Sequence, residues 1–211
     1  MKNLYKYKNI FALIGLIFGS IAVVNTIAYQ GVQAFRYFTN QSNLLFLIVF
    51  ILLYFKLEER ISFKIISFIT LISMSITGVV FHLLLTDSVG STDGLIRSIY
   101  DLNNWQNLVT HTINPLYFLI FYTIFIIDDL KIKDFWIGII HPLAYFILIL
   151  ALSPLTNFYP YPFLDVSLNG LAGVLKMTLL VMLPLIVVFI LVLTTANYYL
   201  NKKLIVYIKE D

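Results

Sequence analysis

The sequence contains no cysteine, and its 211 residues include only three histidines. Without thiols the chain cannot form disulfides, use a cysteine nucleophile or bind a metal through thiolates. Histidines at mismatched predicted depths also argue against a metal site, and we expect neither metal nor cofactor. The sequence lacks a Gly-x-Ser-x-Gly elbow, a His-Glu-x-x-His helix and a glycine-rich phosphate loop. These absences exclude the commonest motifs of serine hydrolases, zinc proteases and nucleotide-binding proteins.

Charged residues are scarce, at 12% of the chain against 60% apolar residues. A soluble domain usually has about a quarter charged residues, so this composition indicates a membrane protein. A membrane span needs about 20 mostly apolar residues. Six windows qualify: residues 10–29, 40–55, 63–85, 108–127, 135–152 and 174–200. We therefore predict an all-α, polytopic six-transmembrane-helix bundle, a single integral membrane domain over residues 1–211, whose first span is retained rather than cleaved as a signal peptide.

Lysine and arginine are distributed unevenly between the two sides of the predicted bundle. Eleven of the 14 lie near the two ends of the chain, between spans two and three, or between spans four and five. Arg36, Arg97 and Lys176 lie on the other side. The positive-inside rule then predicts that both termini are cytoplasmic, and we expect a bacterial plasma membrane. The net charge of +3 is too small to favour a nucleic-acid partner.

Five consecutive polar residues, 39–43, open the second predicted span. Thr39, Ser42 and Asn43 share one face if this stretch is helical, because they are spaced by three and four residues. Polar side chains at the head of an apolar run are costly unless they have partners. They therefore indicate either a site or a polar contact between helices.

The histidines provide candidate bases. His82 lies near the predicted outer end of span three, where a hydrogen-bonded structural role is the alternative. Asn107, His111 and Asn114 recur at helical spacing near the outer end of span four, which a polar helix contact would also explain. His141 falls in the inner half of span five, too deep to join the others, and we interpret it as structural.

Thr39, His82, His111 and Asp165 are all predicted at one depth, near the outer face. A threonine hydroxyl is a poor nucleophile until a base takes its proton. Histidine is the side chain whose unperturbed pKa suits that transfer near neutral pH. These residues therefore favour a nucleophile–base pair in a membrane cavity.

Four segments carry a family resemblance: Arg-Tyr-Phe-Thr-Asn-Gln-Ser-Asn at 36–43, Val-Val-Phe-His-Leu-Leu-Leu at 79–85, His-Thr-Ile-Asn-Pro at 111–115 and Tyr-Pro-Tyr-Pro-Phe-Leu-Asp at 159–165. In this order they resemble a prokaryotic family of uncharacterised six-pass integral membrane proteins. That family is distantly similar to the eukaryotic androgen-induced and androgen-dependent membrane proteins. Those relatives are threonine hydrolases of fatty acid esters of hydroxy fatty acids.

The resemblance implies roles for particular residues. The nucleophile of the eukaryotic proteins lies in a Phe-Leu-Thr-Phe setting, which matches Thr39 in Tyr-Phe-Thr-Asn. Their essential histidine matches His111, and their Tyr-Pro-Phe-Leu-Glu stretch matches residues 161–165. The implied partner is a lipid or fatty acyl ester in the bilayer.

Two functions stay open at this point. The first is an intramembrane lipid-ester hydrolase with its cavity toward the outer leaflet, Thr39 as nucleophile and His111 as base. Its remaining site residues would be oxyanion donors or lining residues: Ser42, Asn43, His82, Asn107, Tyr161 and Asp165. The second is a non-enzymatic small-solute transporter or lipid-binding protein, and a purely structural membrane protein is a third interpretation. Asp101 and Asp165 are candidate acidic partners of His111, and the connection 86–106 is either a lid or a solvated link.

Overall fold

The computed structural model describes residues 6–85, 102–126 and 131–209. Within these ranges the chain is predominantly helical and contains no β-strand. Residues 86–101 of the connection considered as a lid, including Asp101, lie outside the described residues. The all-α class predicted from composition is therefore confirmed for the part of the chain that the structure describes.

The α-helices are α1 Lys8–Gln30, α2 Phe38–Tyr54, α3 Ile61–Val80, α4 Leu102–Leu108, α5 Asn114–Phe125, α6 Ile140–Thr156, α7 Val166–Met177 and α8 Leu183–Lys209. Three π turns extend or join them: Phe81–Leu85 after α3, Val109–Ile113 between α4 and α5, and Thr178–Met182 between α7 and α8. Segments of 3₁₀-helix lie at Val32–Arg36, Ile132–Ile139 and Pro162–Leu164.

Within the described ranges, four continuous helical stretches are long and apolar enough to cross a membrane: Lys8–Gln30, Ile61–Leu83, Trp105–Phe125 and Ile132–Thr156. Three further apolar helices are shorter: Phe38–Tyr54, Val166–Leu180 and Ile186–Leu200. The predicted spans 40–55 and 174–200 correspond to these shorter helices. Large apolar side chains such as Ile17 and Leu155 point outward and are exposed, as expected of a surface that faces lipid.

The core between α2 and α5 consists largely of aromatic rings. The Phe50 ring lies 6.0 Å from Phe118 and 4.8 Å from Phe121, measured between ring centroids. Gly15 lets α1 approach this cluster, since a Cβ atom there would lie 2.3 Å from Phe50 Cζ. Gly19 is close to α2 in the same way, because a Cβ atom at that position would lie 3.2 Å from Leu47 Cα. These glycines therefore allow α1 and α2 to approach each other closely.

Helix α7 is shaped by a cap and a kink. The Asp165 carboxylate accepts hydrogen bonds from the backbone N–H groups of Ser167 and Leu168, at 2.8 and 3.2 Å, as an N-cap residue does. Gly170 then adopts φ 65° and ψ 157°, a region that glycine alone occupies readily. The kink redirects the chain before it reaches the π turn Thr178–Met182.

We expect Gly170→Ala to lower the free energy of unfolding by about 1–3 kcal/mol, because alanine must adopt a strained backbone conformation there. The matched control is Gly173→Ala on the same helix. A Cβ atom at Gly173 would meet Asn169 Cβ at 3.4 Å, an ordinary contact, so alanine there is expected to be neutral or slightly stabilising. Thermal unfolding of the purified proteins in detergent measures both. Equal midpoints for the two variants would contradict the role given to Gly170.

Candidate functional site

Thr39 and His111, predicted as nucleophile and base, lie in contact. Thr39 Oγ1 is 3.2 Å from His111 Nε2, although the two residues are 72 positions apart in the chain. Thr39 belongs to the first turn of α2, and His111 belongs to the π turn Val109–Ile113. The contact therefore joins the start of α2 to the irregular turn that precedes α5.

The hydrogen-bond partners of the His111 ring show which of its two nitrogens carries the proton. Nδ1 lies 3.1 Å from the Asn107 carbonyl oxygen, which can only accept. It also lies 3.0 Å from Thr110 Oγ1, whose own hydrogen is donated to the Gln106 carbonyl at 2.9 Å. Nδ1 therefore carries the proton, and the lone pair of Nε2 faces Thr39. The Thr39 hydroxyl donates to Nε2, which is the arrangement that a general base requires.

The His111 imidazole ring has a stacked aromatic ring on its face as well as hydrogen bonds at its edge. Phe81, in the π turn after α3, stacks on His111 with ring centroids 4.1 Å apart and planes 23° apart. Helix α3 reaches the turn because Gly78 has no side chain: a Cβ atom there would lie 3.2 Å from Pro115 Cβ and 3.5 Å from the His111 carbonyl oxygen. His111 is thus fixed between α3 and the start of α2.

Pro115 explains the π turn and the role of Asn43. The Asn114 N–H donates to the Val109 carbonyl, one residue further back than in an α-helix. In this register the Thr110 carbonyl would take its hydrogen bond from Pro115, which has no N–H. The Asn43 side chain supplies the missing donor, with Nδ2 at 3.2 Å from the Thr110 carbonyl oxygen. Asn43 of α2 therefore donates to the Thr110 carbonyl the hydrogen bond that Pro115 cannot donate.

The Asn43 side-chain amide makes two further hydrogen bonds besides the one to the Thr110 carbonyl. Its Nδ2 also donates to the Thr39 carbonyl at 2.9 Å, and its Oδ1 accepts from Asn114 Nδ2 at 2.7 Å. Asn43 is 2% exposed and Asn114 is 0% exposed, so neither amide has water as an alternative partner. Ser42, the third residue of the predicted polar face, donates to the Phe38 carbonyl within its own helix at 2.9 Å.

An apolar cavity of about 160 Å³ lies beside Thr39. Its walls come from α2, α3, the segment Ile139–Phe146, the Pro162–Leu164 segment and the π turn Thr178–Met182. Apolar side chains dominate the lining, for example Ile76, Val80, Leu143 and Met182. The lining also includes five residues that carry a hydroxyl group: Thr39, Thr77, Tyr145, Tyr161 and Thr178. Each of the three π turns contributes to the site or its wall, which is where such turns are often found in proteins.

Tyr161, one of the residues considered from the sequence, lies in the cavity wall. Its ring packs against Tyr37, Tyr145 and Phe163, with centroid distances of 6.2, 6.4 and 5.4 Å. Burial raises the pKa of the Tyr161 hydroxyl, and hydrogen bonding with the Thr39 side chain opposes that rise. The hydroxyl therefore stays protonated at neutral pH beside Thr39.

Five other predicted site residues do not line the cavity: Ser42 and Asn43, described above, and His82, Asn107 and Asp165. The His82 side chain is exposed, and its Nε2 lies 3.0 Å from Thr112 Oγ1. Asn107 contacts His111 through its backbone carbonyl, whereas the sequence predicts its side chain as a donor. Asp165 caps α7, and the hydrogen bond from the Ser167 hydroxyl lowers the pKa of its carboxyl group. The expected contact between Asp165 and His111 is absent, and no carboxylate among the described residues contacts His111.

His141 corrects a second expectation, that it lies too deep to join the Thr39 region. Its ring stacks on Phe38 at 4.7 Å, and its Nε2 lies 3.1 Å from Gln41 Oε1. Its Nδ1 lies 2.8 Å from Ser73 Oγ, so His141 links α3 to the first turn of α2. The expectation is wrong because α6 packs beside the first turn of α2, a contact that the predicted span boundaries do not reveal.

Comparisons of the chain with protein-family models, with curated proteins and with solved structures find no match. Among the described residues, no group of three or more histidine, aspartate or glutamate side chains is placed to hold a metal ion. The chemistry of the site therefore follows from the threonine, the histidine and the apolar cavity.

We expect Asn43→Ala to destabilise the protein by about 1–3 kcal/mol, because it leaves the Thr110 carbonyl and the Asn114 amide buried without their partner. Ser42→Ala is the matched control: Ser42 is equally buried, but its hydroxyl bonds only within its own helix. Thermal unfolding in detergent is the measurement. Similar losses in both variants would show that Asn43 does not tie α2 to the turn.

Proposed function

We propose that this chain is a membrane-embedded hydrolase of fatty acyl esters, with Thr39 as nucleophile and His111 as general base. The observation that carries the proposal is the 3.2 Å contact between Thr39 Oγ1 and His111 Nε2 at the wall of an apolar cavity. The proton on Nδ1 leaves Nε2 free to accept from Thr39. The sequence resemblance to eukaryotic threonine hydrolases points to the same two residues.

In the acylation step, Thr39 Oγ1 attacks the ester carbonyl carbon while its proton moves to His111 Nε2. The carbonyl π electrons move to oxygen and form a tetrahedral oxyanion. When that intermediate collapses, the bond to the alkoxy oxygen breaks, and His111 returns the proton to the leaving alcohol. Acyl-Thr39 remains, with the acyl chain in the apolar cavity.

In the deacylation step, His111 Nε2 takes a proton from water as the water oxygen attacks the acyl-Thr39 carbonyl. Collapse of the second intermediate breaks the bond to Thr39 Oγ1, and His111 protonates that oxygen. Fatty acid leaves and the resting pair is restored. The Asn107 carbonyl keeps the ring in one tautomer throughout, because it accepts from Nδ1 in both protonation states.

The proposed topology has six spans with both termini in the cytoplasm, in a bacterial plasma membrane. The lysine and arginine distribution supports this orientation. The four long apolar helices and the shorter helix α2 supply five of the six spans, and α7 with α8 would form the sixth.

One observation favours the alternative of a lipid-binding protein without activity. In the described residues, His111 has a carbonyl where hydrolase triads have a carboxylate. A carbonyl orients the ring but does not neutralise the imidazolium that forms. A small-solute transporter is less favoured, because the cavity lining is apolar and suits acyl chains.

Covalent labelling with a lipophilic fluorophosphonate separates the two functions. We expect the wild type to be labelled and Thr39→Ala to be unlabelled. His111→Ala should react at least about 10²-fold more slowly, since a general base contributes that factor or more. Gel fluorescence of the purified proteins gives the labelling rate.

Thr123→Ala is the control for the labelling experiment. Its hydroxyl donates to the Leu119 carbonyl of its own helix at 2.7 Å, away from the cavity, so full labelling should remain. If Thr39→Ala were labelled at the wild-type rate, Thr39 would not be the nucleophile. Tight binding of a fatty acyl ester without labelling or turnover would favour the lipid-binding alternative.

The cavity wall also predicts acyl-chain selectivity. Leu179 lines the cavity and is 52% exposed, whereas its neighbour Leu180 is 66% exposed and lies outside the lining. We expect Leu179→Trp to lower kcat/KM for long-chain esters about 10-fold relative to short-chain esters, because the larger ring fills acyl space. Leu180→Trp should leave the ratio unchanged. Identical ratios in both variants would mean that this cavity does not hold the acyl chain.

A further inference from the structure

Attack by Thr39 on an ester creates a negative charge on the carbonyl oxygen, and a hydrogen-bond donor must receive it. One such donor contributes about 10²–10³ in rate. The oxyanion is bonded to the carbon that Thr39 Oγ1 attacks. The donor must therefore lie next to the Thr39 side chain and reach the cavity.

Among the residues that the sequence predicts as donors or lining residues, Ser42, Asn43 and Asn107 do not meet these conditions. The Ser42 hydroxyl is fully buried and donates to the Phe38 carbonyl. Both hydrogens of Asn43 Nδ2 are used, one for Thr39 and one for Thr110. None of Ser42, Asn43 and Asn107 lines the cavity.

Two tyrosines, Tyr145 and Tyr161, line the cavity together with Thr39. The Tyr145 hydroxyl donates to the Arg36 carbonyl at 2.9 Å, so its hydrogen is engaged. Tyr161 lines the same cavity as Thr39, and the hydrogen-bond partners of its hydroxyl are the Thr39 and Tyr145 side chains and the backbone of Phe38 and Thr39. Those two backbone N–H groups belong to the start of α2 and have no acceptor within the helix. They can donate to the Tyr161 oxygen. Because the Tyr145 hydrogen goes to the Arg36 carbonyl, the Tyr161 hydrogen is the one donated between the two tyrosines, and it can turn from the Tyr145 oxygen to an acceptor in the cavity.

We propose that Tyr161 is a catalytic residue whose hydroxyl donates the hydrogen bond that stabilises the oxyanion formed at Thr39. This inference rests on the proposed function and deepens it. Before substrate binds, the Tyr161 O–H is within reach of Thr39 Oγ1. During attack it donates to the carbonyl oxygen, and no proton is transferred: the oxyanion gains a hydrogen bond and Tyr161 remains neutral.

The surroundings of Tyr161 suit a fixed donor. Pro160 and Pro162 restrict the backbone on both sides of it, and Pro160 is buried. The Tyr161 ring stacks on Phe163 with planes 6° apart. A donor that is already oriented costs little reorganisation when charge develops, which is the condition for strong oxyanion stabilisation.

The test compares Tyr161→Phe with the wild type, using a long-chain acyl ester of 4-methylumbelliferone as substrate. We expect kcat to fall about 10²–10³-fold with KM unchanged, because the lost interaction exists only in the transition state. Inhibition by a long-chain trifluoromethyl ketone, which forms an oxyanion with Thr39, should weaken by the same factor. Tyr159→Phe is the control, since Tyr159 is in the same loop but outside the cavity lining.

The outcomes separate this inference from the proposed function. If Thr39→Ala is inactive while Tyr161→Phe keeps kcat and ketone inhibition, the hydrolase stands and the oxyanion role of Tyr161 is overturned. If Tyr161→Phe raises KM and leaves kcat unchanged, Tyr161 only binds substrate and the inference is wrong. If Thr39→Ala hydrolyses the ester at the wild-type rate, or the wild type neither hydrolyses it nor reacts with the ketone, the proposed function fails, and the inference with it. Wild-type thermal midpoints for both phenylalanine variants exclude unfolding as the cause of any loss.

Discussion

The site depends on the hydrogen bonds by which Asn43 links α2 to the π turn Val109–Ile113. In an apolar environment each backbone carbonyl needs a partner within the protein. Pro115 removes the partner of the Thr110 carbonyl, and Asn43 replaces it from the neighbouring helix. The same amide holds the Thr39 carbonyl. One side chain therefore fixes the distance between the turn that carries His111 and the helix that carries Thr39.

The same irregularity explains the chemistry available to His111. Within the π turn, His111 Nδ1 donates to the carbonyl of Asn107, four residues earlier in the chain. A carbonyl defines the tautomer as a carboxylate would, but it adds no negative charge to offset a protonated ring. The Phe81 ring stacked on His111 supplies a partial substitute, because an aromatic face attracts a cation. This balance favours a base that is well oriented and only moderately strong.

Sequence patterns predict the Thr39–His111 pair, but they do not predict the structure that surrounds it. Thr39, Asn43, His111 and Asn114 follow from helical spacing and from the cost of polar residues in apolar runs. The cavity and the π turns do not follow, because they depend on packing between distant segments.

Two residues show where sequence reasoning about the site goes wrong. For Asp165 a local signal exists that the site prediction does not use: an aspartate ahead of Val-Ser-Leu at a helix start is a common N-cap. For His141 the error lies in inferring contacts from predicted depth alone, since the structure packs α6 against the first turn of α2.

The packing of α6 beside the start of α2 also bears on how a lipid would reach the site. Helix α6 continues from Tyr145 to Thr156, about three turns beyond the level of the α2 start. Thr39 therefore lies below the end of α6. Two cavity-lining residues, Leu143 and Leu179, are 48% and 52% exposed on the outer surface of the helices. For a hydrolase this geometry implies that an acyl chain enters sideways from the bilayer.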